Sequence, residues 1–462
     1  MNRLYQTKEG IFLNVQQSRQ KPLSLFRLTW PIFLELFLFM CMGLVDTFML
    51  SAVSDDAVAG VGAANQYIQI AILILGVVAT GASIVVSQYL GSKMIREASQ
   101  IAALSVTLNL VVGFVVSGLF VIFSNAIMRM MNLEGAVLEH AQSYLAIVGG
   151  FIFLQAVITS VSSIIRVQGW TKQAMYVSLG MNILHLILNY LLIFGTFGFP
   201  ELGVEGAAIS SVVSRAVAMV VFVWLLYQAL EARIERHYYF TFSKTYIGEI
   251  LKIGIPSALE QVLYQVCQVV FLYYVTYLGA ESLAARQYAT NVSMFAYLFA
   301  LAIGMSTAIL IGRHVGAGEP EVAYHRVWFS LKSALVFTLV MVAFITIFRE
   351  SLIRLFTDNP EIIQIASSVL LLSILLETGR TFNITIINAL RASGDASFPV
   401  KIGFISMVCI SLPLGYLFVF VLDMGLIGVW LAISVDEWIR AILVMFRWKS
   451  RKWQQYAIVA KK

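Results

Sequence analysis

Charge is what this chain has least of. Asp, Glu, Lys and Arg make up 12% of its 462 residues, against roughly 25% in soluble domains, while hydrophobic residues make up 60%. That imbalance excludes an ordinary water-soluble globular protein. Cysteine is nearly absent. Cys41, Cys267 and Cys409 lie in apolar runs without metal-ligand spacing, which excludes a disulfide framework or thiolate metal site and leaves them as small packing residues. No GxxxxGK[ST] phosphate loop occurs, and HExxH, GxSxG and GxGD are missing, so an enzyme is not expected. The first 27 residues hold no long apolar region ending in a small-residue cleavage site. They predict a basic cytosolic lead-in and no removed signal peptide.

Apolar runs near 20 residues, the length that crosses about 30 Å of hydrocarbon, are what the chain has in abundance. Twelve begin near Leu28, Gly60, Gln100, Ala141, Gln173, Gly203, Glu249, Leu283, Val327, Ile363, Phe398 and Gly425. The expected fold is an all-α integral membrane protein. Positive loops stay cytoplasmic. The lead-in carries Arg3, Lys8, Arg19, Lys21 and Arg27, and the loops after even-numbered spans carry Lys93, Arg96, Arg166, Lys172, Arg233, Arg236, Lys244, Arg313, Arg326 and Arg391. The loops after odd-numbered spans carry only Arg129, Arg349 and Arg354, and the tail from Arg447 is again basic. Both termini are expected inside a cell membrane. This bias and anionic lipid headgroups account for the net charge of +6, so the bilayer is the partner it implies and nucleic acid is not.

Shifted by 225 residues, the sequence superposes on itself. Pro31 meets Pro256, Leu34-Glu35 meets Leu259-Glu260, Gly91 meets Gly316, and Arg166 with Gly169 meets Arg391 with Gly394. After a loss of three residues, Gly203-Val204-Glu205-Gly206 meets Gly425-Leu426-Ile427-Gly428. Each copy holds six spans, so the copies are parallel and related by a pseudo-twofold axis along the membrane normal, a pattern of secondary transporters. The plan is a cytosolic segment over residues 1–27, an N-lobe over 28–230, a cytosolic linker over 231–247, a C-lobe over 248–447 and a basic tail over 448–462. A single copy is the expected working unit.

Ionisable residues inside a membrane are expensive and mark candidate sites. At 1.5 Å per residue, Asp46 comes about 27 Å along the first span and Glu35 about 10 Å. His185 and Asn189, four apart on one face of the fifth span, fall about 18 and 24 Å along it, and Ser211 about 12 Å into the returning sixth. Asp46, His185, Asn189 and Ser211 can therefore meet in the outer half of the N-lobe. Asp46 reads otherwise as a helix-end carboxylate reaching water, and His185 as a core histidine on a backbone carbonyl. Deeper down, Glu35 and Arg215 come out at similar depth and are expected to neutralise one another. The C-lobe spans hold Glu260, Glu377, Arg380, Asp436, Glu437 and Arg440. Spacings of three pair Glu377 with Arg380 and Glu437 with Arg440. Counted against Arg215, Arg380 and Arg440, six acids leave an excess of three carboxylates, which suits positively charged substrates. A second ion or substrate site around Glu260 and Glu377 is expected. Asn65, Gln66 and Gln69 on the second span, with Tyr264, Gln265, Gln268, Gln287, Tyr288 and Asn291 on the seventh and eighth, are candidates to line a central cavity. Taken singly, each reads first as an interhelical hydrogen-bonding residue.

GLVDTFML from Gly43, ATGASIVVSQYLG from Ala79, LGAESLAARQYA from Leu278, IGRHVGAG from Ile311 and LRASGDASFPV from Leu390 together resemble the multidrug and toxic compound extrusion family, MATE, from about Leu28 to Arg447. The resemblance implies two six-helix lobes and export of organic, often cationic, molecules in exchange for H+ or Na+. It also implies a cation site built from the acid of the first span, the polar pair of the fifth and a hydroxyl of the sixth, here Asp46, His185, Asn189 and Ser211. His185 departs from the Asn usual at its position. Imidazole is a poor sodium ligand and titrates near neutrality, which favours protons; no cofactor beyond the coupling ion is expected. Sodium coupling and a lipid-precursor flippase of the same superfamily stay open as alternatives.

Overall fold

The computed structural model describes residues 23–131, 133–230 and 234–459. Most of the expected lead-in, three residues of the linker and the last three of the tail lie outside the described residues. Among the described residues, six long helices form each half. The first half has α1 (Leu25–Ser51), α2 (Asp55–Gly91), α3 (Ile95–Arg129), α4 (Gly135–Gly149 and Ile152–Val167), α5 (Thr171–Phe194) and α6 (Gly203–Ala229). The second has α7 (Lys244–Thr276), α8 (Ala280–Gly316), α9 (Pro320–Ile347), α10 (Pro360–Leu371 and Ser373–Ala392), α11 (Ser397–Val421) and α12 (Gly425–Lys449). Among the described residues, nine of these are long and apolar enough to cross a membrane, and the bent α4 and α10 bring the number to eleven. The twelfth, α12, has 25 residues, enough for about 37 Å, but carries Asp436, Glu437 and Arg440 in its middle. The chain is a multi-pass, all-α membrane protein.

The repeat governs the helix ends. α2 and α8 start and stop 225 residues apart, α4 bends by 48° and α10 by 47°, and Pro31 and Pro256 sit inside α1 and α7. N-caps are local: Ser54 accepts from the Ala57 amide at 3.0 Å and Asn359 from the Glu361 amide at 3.0 Å, satisfying first-turn donors that lipid cannot. Phe48, Ile122, Val220 and Val336 are exposed, as expected of side chains that face acyl chains.

The two halves join at one end only. A single buried cluster at the end where α1 begins runs from Leu25 through Tyr89, Ile250 and Ile303 to Val459 and so crosses both lobes, whereas at the far end each lobe has its own cluster. Near-end contacts obey the repeat. Gln88 of α2 donates through Nε2 to the Ala392 carbonyl at 2.7 Å, and its counterpart Arg313 of α8 donates to the Val167 carbonyl, also at 2.7 Å. Where α2 crosses α8, Gly91 lies against the carbonyl of Arg313 and Gly316 against that of Gln88; only a residue without Cβ allows such an approach.

The described part of the basic tail folds back on this seam. Trp453 is buried and stacks on Trp448 at 4.3 Å, and the Ile458 amide donates to Gln88 Oε1 at 2.8 Å. The described part of the linker packs too, with Arg96 Nε donating to Tyr238 Oη at 2.9 Å. Arg166 and Arg391, expected in loops, occupy the last turns of α4 and α10 instead.

Candidate functional site

Three helices of the N-lobe converge on Asp46. Asn189 of α5 donates through Nδ2 to Asp46 Oδ1 at 2.7 Å, and His185, one turn earlier, brings Nδ1 to 3.9 Å from the same oxygen. The other imidazole nitrogen, Nε2, is 3.1 Å from Ser211 Oγ of α6. The sequence thus places all four residues in one cluster. Asn189, His185 and Ser211 are buried, while the Asp46 side chain keeps 30% exposure. Asn189 Oδ1 is buried with no protein donor.

Arg215 corrects one expectation. It lies one turn after Ser211 on α6, within electrostatic reach of Asp46 and Tyr144, with Nη1 buried and unbonded. It does not neutralise Glu35. That acid is held by Arg166 Nη2 at 2.8 Å and by Ser178 Oγ at 2.6 Å. The repeat reproduces the ion pair in the C-lobe, where Arg391 Nη2 meets Glu260 Oε2 at 2.7 Å. The signal was available in the sequence, since Glu35 with Arg166 and Glu260 with Arg391 are the same two repeat positions.

The C-lobe holds a denser network. Arg380 binds Glu377 at 2.7 Å and approaches Glu437 at 3.9 Å, and Arg440 binds Asp436 at 3.0 Å and Glu437 at 2.9 Å. Both spacing-of-three pairs expected on α10 and α12 are present. Asn383 Nδ2 donates to Glu437 Oε2 at 2.6 Å, Ser406 donates to Asp436, and the Arg380 guanidinium lies 5.3 Å from the Tyr297 ring centroid. Glu377, Arg380, Asn383, Glu437, Arg440 and Tyr297 wall a cavity of about 580 Å³. A second cavity of about 750 Å³ lies between α2 and α7.

The amide and tyrosine candidates divide between these spaces. Asn65, Gln66, Gln69 and Gln265 line the cleft between lobes, and Tyr264, Gln265 and Gln268 line the C-lobe cavity. Gln287, Tyr288 and Asn291 line neither. Gln287 Nε2 donates to Asn291 Oδ1 at 3.2 Å, and Tyr288 stacks on Phe356 at 5.3 Å. On α8 the stripe facing the cavity is Arg286, Thr290, Ser293, Tyr297 and Leu301. One residue of register turns a helix by about 100°, and choosing by amide content put the stripe on the wrong face.

The expected excess of acid is also corrected. Arg166, Arg286 and Arg391 lie within the helices alongside Arg215, Arg380 and Arg440, so the six acids face six arginines. Arg286, Tyr144, Tyr297 and Asn383 were not singled out in the sequence; an arginine inside the apolar α8 was the missed signal. With the charges balanced, acid excess no longer argues for a cationic substrate.

Comparison with known proteins agrees with this architecture. The MatE family model matches residues 31–191 and again 256–417, one match per lobe. An uncharacterized transporter of Bacillus subtilis, YisQ, is 41% identical over 450 residues, covering 97% of this chain and 99% of its own. A probable multidrug resistance protein NorM of Thermotoga maritima is 28% identical over 441 residues, covering 95% and 94%. Among solved structures, a MATE protein in a bent conformation superposes with a TM-score of 0.86 at 20% identity over 92% of this chain and 94% of that one. A MOP superfamily transporter of Pyrococcus furiosus, described as having a binding pocket of reversed polarity, superposes with a TM-score of 0.85 at 21% identity, over 92% and 95%.

Proposed function

The chain belongs to the MatE family of membrane transporters, and we propose that it exports organic compounds in exchange for protons, with Asp46 as the proton-carrying group. One observation carries this reading: the neighbours of Asp46 are mainly nitrogens. Asn189 Nδ2 occupies Oδ1, and His185 and the Arg215 guanidinium stand close by. Sodium needs several hard oxygen ligands. Besides the carboxylate, this cluster offers Ser211 Oγ and Asn189 Oδ1, and a fixed positive charge beside it opposes a metal cation. A proton needs one acceptor.

Asn189 suits both protonation states. Its Nδ2 donates to the carboxylate, and its unbonded Oδ1 can accept from the carboxylic acid after an amide flip. Ionised Asp46 holds α1 to α5 by a charge-assisted bond; protonated Asp46 loses both that bond and its attraction to Arg215. A proton therefore changes how α1 is held in the lobe, which is what two conformations need in order to differ in proton affinity. With the termini read as cytoplasmic, the joined near end faces the cytosol and the cleft opens outward. Protons enter Asp46 from outside while substrate leaves. We read a single copy in the cell membrane as the working unit.

Efflux from proteoliposomes tests this, with a pH gradient and a sodium gradient imposed separately. The wild type should respond to the pH gradient. Asp46→Asn should insert and fold, since it removes a charge, yet lose gradient-driven efflux. Full activity of Asp46→Asn, or activity driven by sodium alone, overturns proton carriage by Asp46.

A further inference from the structure

We propose that Arg286 anchors a carboxylate of the transported compound, so that the C-lobe cavity selects organic molecules carrying a negative group. Four arginines line this space, and three of them are engaged by carboxylates at 3.0 Å or less: Arg391 by Glu260, Arg380 by Glu377, and Arg440 by Asp436 and Glu437. Arg286 is the exception. Among the described residues no Asp or Glu forms an ion pair with it, and its Nη2 donates only to Gln268, at 3.2 Å to Oε1 and 3.4 Å to the carbonyl. A guanidinium stays charged at any pH the cell reaches and presents five N–H donors in a planar fork that matches a carboxylate. Gln268 leaves most of that fork free, facing the cavity.

The lining also holds buried polar atoms without partners. Glu377 Oε2, Asn383 Oδ1 and Trp430 Nε1 are buried with no protein partner, and all three residues line the cavity. Buried polar atoms are costly when left unbonded. Three carboxylates (Glu260, Glu377 and Glu437) and four arginines line this space of about 580 Å³, so Arg286 stands there as a formal surplus of one positive charge. The cavity therefore presents an unmatched positive charge. It fits a molecule whose carboxylate meets Arg286. Gln261, Gln265 and Arg391 line both this cavity and the cleft between lobes, which gives such a molecule a route.

The assignment rests on the reading of the chain as an exporter but is tested apart from it, by equilibrium binding without an ion gradient. The probes are rhodamine 110, which bears a free carboxylate, and rhodamine 123, its methyl ester, in equilibrium dialysis against the full-length protein in detergent. Wild type should bind rhodamine 110 at least as tightly as rhodamine 123. Arg286→Gln should weaken rhodamine 110 by about tenfold or more, as expected for loss of charge-assisted bonds, and leave rhodamine 123 within about twofold. Arg286→Lys should restore part of the difference. Equal weakening of both dyes would make Arg286 a structural residue, and no weakening of either would make it a solvated rim charge; each result overturns the proposal. Failure of the exporter reading would show instead as binding that keeps this discrimination while no gradient drives efflux.

Discussion

A single methyl group at the crossing of α2 and α8 should open the near-end seam. A Cβ on Gly316 would lie 2.6 Å from the Gln88 carbonyl carbon and 2.7 Å from its Cα, and one on Gly91 would lie 2.8 and 2.9 Å from the same atoms of Arg313. Carbon atoms settle at about 3.5–4.0 Å, so either Ala variant forces the helices apart by roughly 1 Å. Overpacking by one methyl group costs about 1–3 kcal/mol. The cost falls on the state with the seam closed and spares one in which the helices have parted there. The ratio of the two should shift about 5- to 150-fold. Gly91→Ala and Gly316→Ala should shift it alike, because their contacts are mirror copies, and the double variant should fall short of the sum because one crossing is shared.

Thr80 gives the readout. It lines the cleft about 16 Å above the near end of α2. With Cys41, Cys267 and Cys409 replaced, Thr80→Cys is treated with an impermeant maleimide from the side on which α1 begins. Labelling should accelerate in both glycine variants. Unchanged labelling in both, with monodisperse protein, would show that the crossing does not gate the cleft.

Three further substitutions probe the seam and the buried ion pairs. Arg166→Ala and Arg391→Ala each strand a carboxylate. Loss of one member of a fully buried pair costs about 3–5 kcal/mol, but these side chains are 11–17% exposed, so about 2–3 kcal/mol is expected, read as faster thermal inactivation; a wild-type half-life in both would refute the pairing. Trp453→Ala removes a buried ring from its stack on Trp448, on the order of 3 kcal/mol, and should speed near-side labelling of Thr80→Cys. Wild-type labelling there would make the C-terminal turn a passenger on the seam.

The spans and the lobes were legible because hydrophobic length and the 225-residue offset are properties of the chain itself. The cluster at Asp46 was legible for a similar reason: three helices unbroken over the residues concerned make residue count a usable measure of depth. Arg166 misled because it sits three residues before a glycine turn, where sequence alone does not separate a loop residue from one in the last helical turn whose side chain reaches back to Glu35. Arg215 misled because depth places a residue along a helix but not around it. Its neighbour Ser211, one turn away on the same face, carried the azimuthal information that depth lacked. The same loss of azimuth put Gln287 and Asn291 in a cavity that Arg286 and Thr290 line.

Duplication separates scaffold from chemistry. Positions filled alike in both halves, Glu35 with Glu260, Arg166 with Arg391 and Gly91 with Gly316, form ion pairs and close contacts near the end where the lobes join. Positions that differ carry the charged clusters. Asp46 has Phe271 as its counterpart, Arg286 has Val61, and Glu377 has Ile152. Across the three-residue offset, Arg215 beside Asp46 corresponds to Glu437 in the C-lobe network, so one position bears opposite charges in the two lobes. A scaffold that needs symmetry to close one end of a cleft does not need it for binding, and a proton site and a substrate site require different charges. Mutations at matched positions should therefore act alike in both lobes and chiefly on stability and closure. At unmatched positions they should act in one lobe, on coupling around Asp46 and on selectivity around Arg286.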